Sequence, residues 1–267
     1  MFHSMRSRMI LVMLVVTACT GILITVMFYQ RSAGMIEEDY VENLYGRLRQ
    51  TGNALDESLK EIYFLTVQAS CDEEILDKTQ DYISGGKEEA LIELAGLLRD
   101  YSGRNSEVSS VCLVIPEKQM IVTSLEYPVY QRGISDKKIE EIRKAGETSL
   151  TPALIHDPLR ETDHLLVTVS PVEKEDGGIC AYVMSCLKER TLYYNYLDDL
   201  EDGETSKAIL LDGQGRVVSA KAPEDVGQRY AAAQEGRRQE GNRRETICVQ
   251  YRAEFSGYSF RMEREKD

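Results

Sequence analysis

Residues 209–220 read ILLDGQGRVVSA, and residues 113–124 read LVIPEKQMIVTS. Each stretch has three apolar residues, four or five polar or turn residues, a second apolar run and an ending of two small residues. Apolar β-branched runs around a short turn-forming segment predict a β-hairpin. The surroundings of the two hairpins correspond as well. After 113–124 comes a polar stretch with a helical segment, SDKKIEEIRKAG, and then the strand-like runs HLLVTVSPV and GICAYVMSCL, joined by EKEDG. After 209–220 comes a polar insert, read as helical around 227–238, and then the strand-like runs ETICVQYR and YSFRME. The order hairpin, insert, two strands occurs twice, which predicts two copies of one small α/β module, each with its own antiparallel sheet. The segment KERTLYYNYLDDL reads as the helix between them, with Tyr193, Tyr194 and Tyr196 packed at the junction.

Upstream, the chain is helical. MILVMLVVTACTGILITVMFY, Met9 to Tyr29, contains no charge. At about 1.5 Å per residue it spans roughly 30 Å, the hydrocarbon thickness of a bilayer. Arg6 and Arg8 precede it, and Glu37, Glu38 and Asp39 follow it. The positive-inside rule then places residues 1–8 in the cytoplasm and residues 31–267 outside the cell membrane, with a single pass at 9–29. A cleaved signal peptide has a shorter apolar core. A lipoprotein would turn polar after Cys19, where TGILITVMFY follows. A pilin-type processing pattern is missing.

From Met35 to Ser70 there is no Pro, and Val41, Leu44, Leu48, Leu55, Leu59 and Ile62 recur at helical spacing. The stripe is narrow. It fits a helix that pairs with a second copy, giving a homodimer through 35–70, and equally one that covers its own domain. Shorter helices are expected at about 73–83 and 87–101, the latter capped by Gly103.

The net charge is −13. That balance argues against a nucleic-acid partner, which requires a basic face. Of six cysteines, Cys19 lies in the apolar segment. Cys71, Cys112, Cys180, Cys186 and Cys248 are odd in number and contain no CxxC, so they define neither a disulfide framework nor a zinc site. Those in strand-like runs read as small buried hydrophobes, with one bridge left open. No GxSxG, HExxH, P-loop or kinase signature occurs, and DDLEDGE lacks calcium-loop spacing, so neither an enzyme nor a cofactor is expected within these residues.

The order of parts, with GGICAYVMSCLKERTLYY and DGQGRVVSA at the module boundaries, resembles the double Cache (PAS-like) sensor domains of bacterial sensor histidine kinases and chemoreceptors. The resemblance covers about residues 35–267. It implies an α+β fold with a membrane helix, a long emerging helix at 35–70, a membrane-distal Cache module at 71–200 and a membrane-proximal one at 201–267. It also implies an extracytoplasmic receptor for a small-molecule ligand, with the distal module usually holding that ligand. The family's amino-acid pattern is broken here: there is no Trp, and Met184 or Ser185 stands where an Asp would be. The residues then expected to bind ligand are Tyr127, Tyr130 and Arg132 in EYPVYQR, and His156 and Asp157 in IHDPLRETDH. A guanidinium forks onto carboxylate or phosphate, and phenols close over apolar parts. A sensor of this kind re-enters the membrane after its second module, so the sequence is expected to stop short of a second membrane helix and a kinase output domain. The rival reading is a membrane-anchored scaffold that holds a partner protein.

Overall fold

The computed structural model describes residues 5–124, 131–147, 152–159, 164–201, 206–230, 246–252 and 258–265. The chain divides into two compact units, one ending at Gly46 and the other starting at Arg47.

The first unit consists of the beginning of α1 (Met5–Ser70). Its apolar segment is long enough to cross a membrane, and none of that segment is covered by protein. Leu14 and Phe28 are among its exposed side chains. The core helix of a soluble domain would bury such residues.

In the second unit, α1 lies on a sheet. Leu48, Leu55, Leu59 and Ile62 are fully buried within the chain, so from Leu48 onward the narrow stripe is domain core. It is therefore not a free seam for a second copy, and the expected homodimer would have to use another face of this helix. Two buried hydroxyl pairs fix its register on the sheet: Thr66 with Ser185 at 2.7 Å, and Ser70 with Ser170 at 2.8 Å. Each pair satisfies groups that would otherwise be buried without partners. Next come α2 (Glu73–Gly85) and α3 (Glu88–Ser102). Asp72 caps α2 by accepting the Glu74 N–H, and it also accepts the Tyr101 hydroxyl at 2.7 Å. Gly103 stands at the end of α3 but keeps a right-handed φ of −73°; the left-handed cap is Gly86, at the end of α2.

The first sheet has six antiparallel strands in the order β3-β2-β1-β6-β5-β4. These are β1 (Ser110–Ile115), β2 (Met120–Thr123), β3 (Gln131–Gly133), β4 (Ala153–His156), β5 (His164–Glu173) and β6 (Ile179–Lys188). The helix α4 (Asp136–Glu147) crosses the face opposite α1. Beneath it, Val114, Ile142, Val167, Tyr182 and Met184 belong to one buried cluster. The edge strands β3 and β4 were not anticipated from the sequence.

After β6 the chain enters the short α5 (Glu189–Leu192) and a π-helical turn, Tyr193–Leu197. Tyr193 is buried where this turn meets the second sheet. Tyr196 is half-buried and donates to Glu107 at 2.6 Å, while Tyr194 is exposed, contrary to the expectation for all three.

The second sheet has four antiparallel strands in the order β8-β7-β10-β9. They are β7 (Ser206–Leu211), β8 (Val217–Ala220), β9 (Thr246–Arg252) and β10 (Ser259–Glu265). Two separate sheets, one per repeat, are what the duplicated strand order predicts. The hairpin echo extends to the backbone. The seventh residue of each twelve-residue stretch, Gln119 and Gly215, has a left-handed φ of 48° and 74° respectively. That conformation is easy for Gly and uncommon for Gln. In the second hairpin Asp212 closes the turn, accepting the N–H groups of Gln214 and Arg216 and pairing with the Arg216 guanidinium at 2.7 Å. Of the polar insert read as helical at 227–238, Gly227 to Arg229 form a turn and a β-bridge to Arg216, and 231–238 lie outside the described residues.

Ile62 is buried where α1 meets the sheet, whereas Glu57 is exposed on the same helix and pairs with Lys60 at 3.7 Å. Truncating Ile62→Ala is expected to cost about 2–5 kcal/mol of unfolding free energy. Glu57→Ala is expected to change it by under about 0.5 kcal/mol. Urea unfolding of residues 31–267 measures both. Equal effects would mean that α1 is not packed on the sheet.

Candidate functional site

A cavity of about 340 Å³ lies where the two modules meet. That volume falls at the small end of the range for metabolite sites. Its floor comes from the start of β1 and the end of β6, where Ser110 and Cys186 stand opposite each other in the ladder, with Cys112 beside them. One wall is the turn after β4, with Asp157 and Leu159. Another is the start of β5, with His164, and Pro223 and Val226 of the second module close it.

The wall after β4 is held by side chain to backbone bonds. Asp157 is buried, and its Oδ1 accepts the Leu159 N–H at 2.7 Å, which shapes the turn. Arg132 donates to the Leu159 carbonyl, and Lys138 donates to the Pro158 carbonyl at 3.4 Å. His156 and His164 face each other across β4 and β5, with ring centroids 4.6 Å apart.

On the second-module side, Gly227 has a φ of 82°, and a Cβ placed there would lie 3.2 Å from His164 Nε2. This close approach seats the module against the cavity wall. Arg190 donates to the Lys221 carbonyl at 2.9 Å, and its guanidinium lies 5.0 and 4.9 Å from the rings of Tyr193 and Tyr194. Next to it, buried Glu189 accepts the Ser219 hydroxyl at 2.9 Å. Burial pushes the Glu189 carboxyl above its ordinary pKa, and the Ser219 and Ala220 donors only partly offset this. The modules are also joined by buried Tyr258, whose hydroxyl donates to the Pro152 carbonyl at 2.7 Å.

The sequence-predicted residues are distributed unevenly around this cavity. Asp157 lines it. His156 is exposed and does not line it; its ring lies tilted against that of His164, which does. Arg132 is exposed on β3 and acts on the backbone of the wall, so its guanidinium is committed outside the cavity. Tyr127 and Tyr130 lie outside the described residues. Met184 belongs to the cluster under α4, and Ser185 faces α1, so neither lines the cavity. Ser110, Cys112, Cys186 and Glu189 were missed as cavity residues. The one available signal was the charged triplet Lys188-Glu189-Arg190 at the end of the apolar and small-residue run of β6. Cys112, Cys180 and Cys186 are buried free thiols, as small core residues would be, and Cys71 is an exposed free thiol. The side chain of Cys248 lies outside the described residues. Among the described residues, no group of three or more His, Cys, Asp or Glu is placed to hold a metal ion.

No family model matches this chain, and no curated protein matches it. Solved structures do. The chain is similar to the ligand-binding domain of the amino-acid chemoreceptor PctB of Pseudomonas aeruginosa PAO1 in complex with L-arginine. That match has 15% identity, covers 86% of this chain and 97% of that one, and has a TM-score of 0.62. It is also similar to the ligand-binding domain of the Campylobacter jejuni chemoreceptor Tlp3 in complex with L-valine, at 15% identity over 88% of this chain and 96% of that one, with a TM-score of 0.58. A third likeness is to the periplasmic sensory domain of the Campylobacter jejuni chemoreceptor Tlp1, at 10% identity over 86% and 96%, with a TM-score of 0.60. The chain shares the fold of these chemoreceptor ligand-binding and sensory domains.

The raised Glu189 pKa makes stability depend on pH. Between the unfolded value, near 4.5, and the higher folded value, the folded chain holds a proton that the unfolded chain has lost. Stability therefore falls as pH rises through that window and stays lower above it. The variant Glu189→Gln lacks this proton, so its melting temperature relative to wild type is expected to climb across the window. A difference that is flat with pH would show that the carboxyl is not shifted by burial.

Proposed function

We propose that residues 31–267 are the extracytoplasmic ligand-sensing region of a membrane-bound bacterial signal-transduction receptor. In this reading 9–29 is the membrane anchor, 1–8 is cytoplasmic, 71–200 is the membrane-distal module and 201–267 is the membrane-proximal one. The cavity between the modules takes a small molecule, with Asp157 and Glu189 as its buried carboxyl groups. The region is non-catalytic and passes its signal to an output domain, a histidine kinase by the resemblance to two-component sensors. It works as a homodimer, with a second copy on the outward face of α1, where Phe64 is exposed. The observation that carries the ligand reading is a cavity lined by both modules, since an occupant there touches each of them.

The test is thermal stability of residues 31–267 against a metabolite panel. A ligand that binds only the folded chain at a hundred times its Kd adds about 2.7 kcal/mol. The expected result is a concentration-dependent rise in Tm with at least one compound, abolished by Ser109→Trp, because Ser109 lines the cavity beside Ser110 and an indole there fills it, and weakened by Asp157→Asn. If no compound shifts the Tm while a pull-down returns a specific protein, the domain is a scaffold and the receptor reading fails.

A further inference from the structure

We propose that Cys112 and Cys186, side by side on the cavity floor, are a two-thiol site for a soft, thiophilic metal cation. This inference rests on reading the cavity as a ligand site, and it names the chemistry the floor selects.

The register of the first sheet places the two sulfurs. Cys112 stands opposite Met184 and Cys186 stands opposite Ser110 in the β1–β6 ladder. The cysteines are therefore diagonal neighbours on one face of the sheet, and both are buried yet line the cavity. Diagonal neighbours in an antiparallel pair have Cβ atoms somewhat under about 7 Å apart. A disulfide needs Cβ atoms about 3.5–4.5 Å apart and sulfurs about 2.05 Å apart, so direct bonding would require the strands to move. A metal held at about 2.3 Å from each sulfur lets the sulfurs stay up to about 4.6 Å apart. The diagonal spacing thus suits a bridging ion better than a bond, and both cysteines are free thiols.

The surroundings favour a cation. Asp157 is buried in the same cavity, where its Oδ1 takes a backbone N–H, and carboxylate oxygen is a ligand type for divalent cations. The two thiols also act on each other. Hydrogen bonding between them pulls Cys112 below its ordinary pKa and pushes Cys186 well above its own, while burial raises both. For a divalent ion the step is M²⁺ + 2 RSH → M(SR)₂ + 2 H⁺: two metal–sulfur bonds form, two S–H bonds break, both protons leave to solvent and nothing is oxidised. Affinity accordingly rises with pH. Thiolate ligands select soft ions over calcium and magnesium, which prefer oxygen.

The experiment uses Cd(II) as probe on the chain in detergent, under reducing conditions. One Cd(II) per chain is expected to bind with a thiolate-to-metal charge-transfer band, undiminished by excess Mg(II). Cys112→Ser and Cys186→Ser should each weaken binding at least tenfold, and Cys71→Ser should leave it unchanged. In the unsubstituted protein, Cd(II) should protect Cys112 and Cys186, but not Cys71, from a small alkylating reagent, read by peptide mass spectrometry. That measurement needs no core variant to fold. A band that survives in Cys112→Ser/Cys186→Ser, or no band with folded wild-type protein, overturns the proposal. So does alkylation of both buried thiols that proceeds equally with and without Cd(II). A metabolite that stabilises the chain through the cavity while Cd(II) ignores the thiols sinks this inference and leaves the receptor reading standing. Cd(II) binding with a blank metabolite panel does the reverse for organic ligands.

Discussion

Strand β6 is buried on both faces from Cys180 to Leu187, and the rest of the domain is arranged to keep it so. A central strand needs a partner on each side and a cover on each face. β1 and β5 are the partners. α1 covers one face, fixed by the Thr66–Ser185 hydroxyl pair, and α4 covers the other over the cluster around Met184. Successive side chains of a strand point to opposite faces. Ser185 therefore meets the long helix while its neighbour Cys186 meets the cavity. One peptide unit separates the candidate ligand site from the helix contact, and close-packed neighbours transmit small displacements because there is little void to absorb them.

The same strand shows why much of the fold was legible in the sequence. GICAYVMSCL is a run of apolar and small residues bounded by Gly and Lys, and runs of that kind read as buried strands. The hairpins at 113–124 and 209–220 were legible because apolar runs flank turn-forming residues, and the structure makes both turns with a left-handed residue at the same place. β3 and β4 were not legible. They have three and four residues, sit at the sheet edges, and β3 is Gln131-Arg132-Gly133, with no apolar side chain. Such strands are defined by their neighbours' hydrogen bonds and not by a pattern of their own. The stripe on α1 was legible as a stripe. Its destination was not, because a helix covering a sheet and a helix covering a second helix present the same spacing.

The site was legible only in part, for a related reason. Asp157 and its loop stood out because polar residues gather there between apolar runs. The floor did not, because Ser110, Cys112 and Cys186 are small residues inside strands and read as core. They become a site only through register, which brings the start of β1 beside the end of β6. Arg132 drew attention for its charge and its flanking tyrosines. Its guanidinium is instead committed to the Leu159 carbonyl, so it shapes the wall from outside the cavity.

What the cavity can signal is limited by what holds the modules together. The junction is fastened by Arg190 on the Lys221 carbonyl, Glu189 on Ser219, Tyr258 on the Pro152 carbonyl and the Gly227–His164 approach. An occupant that bound two junction arrangements equally would shift nothing, however tight its binding. It must prefer one. The groups able to express a preference are those whose positions differ when the modules move, and these are the cavity residues contributed by the second module and the Lys188-Glu189-Arg190 link. The floor at Ser110, Cys112 and Cys186 belongs to one hydrogen-bonded ladder within the first sheet, so a movement of the second module need not displace it. In the proposed receptor, the floor would set affinity, and the rim along Glu189, Arg190, Pro223 and Val226 would set the response. Substitutions that separate binding from output accordingly belong on the rim.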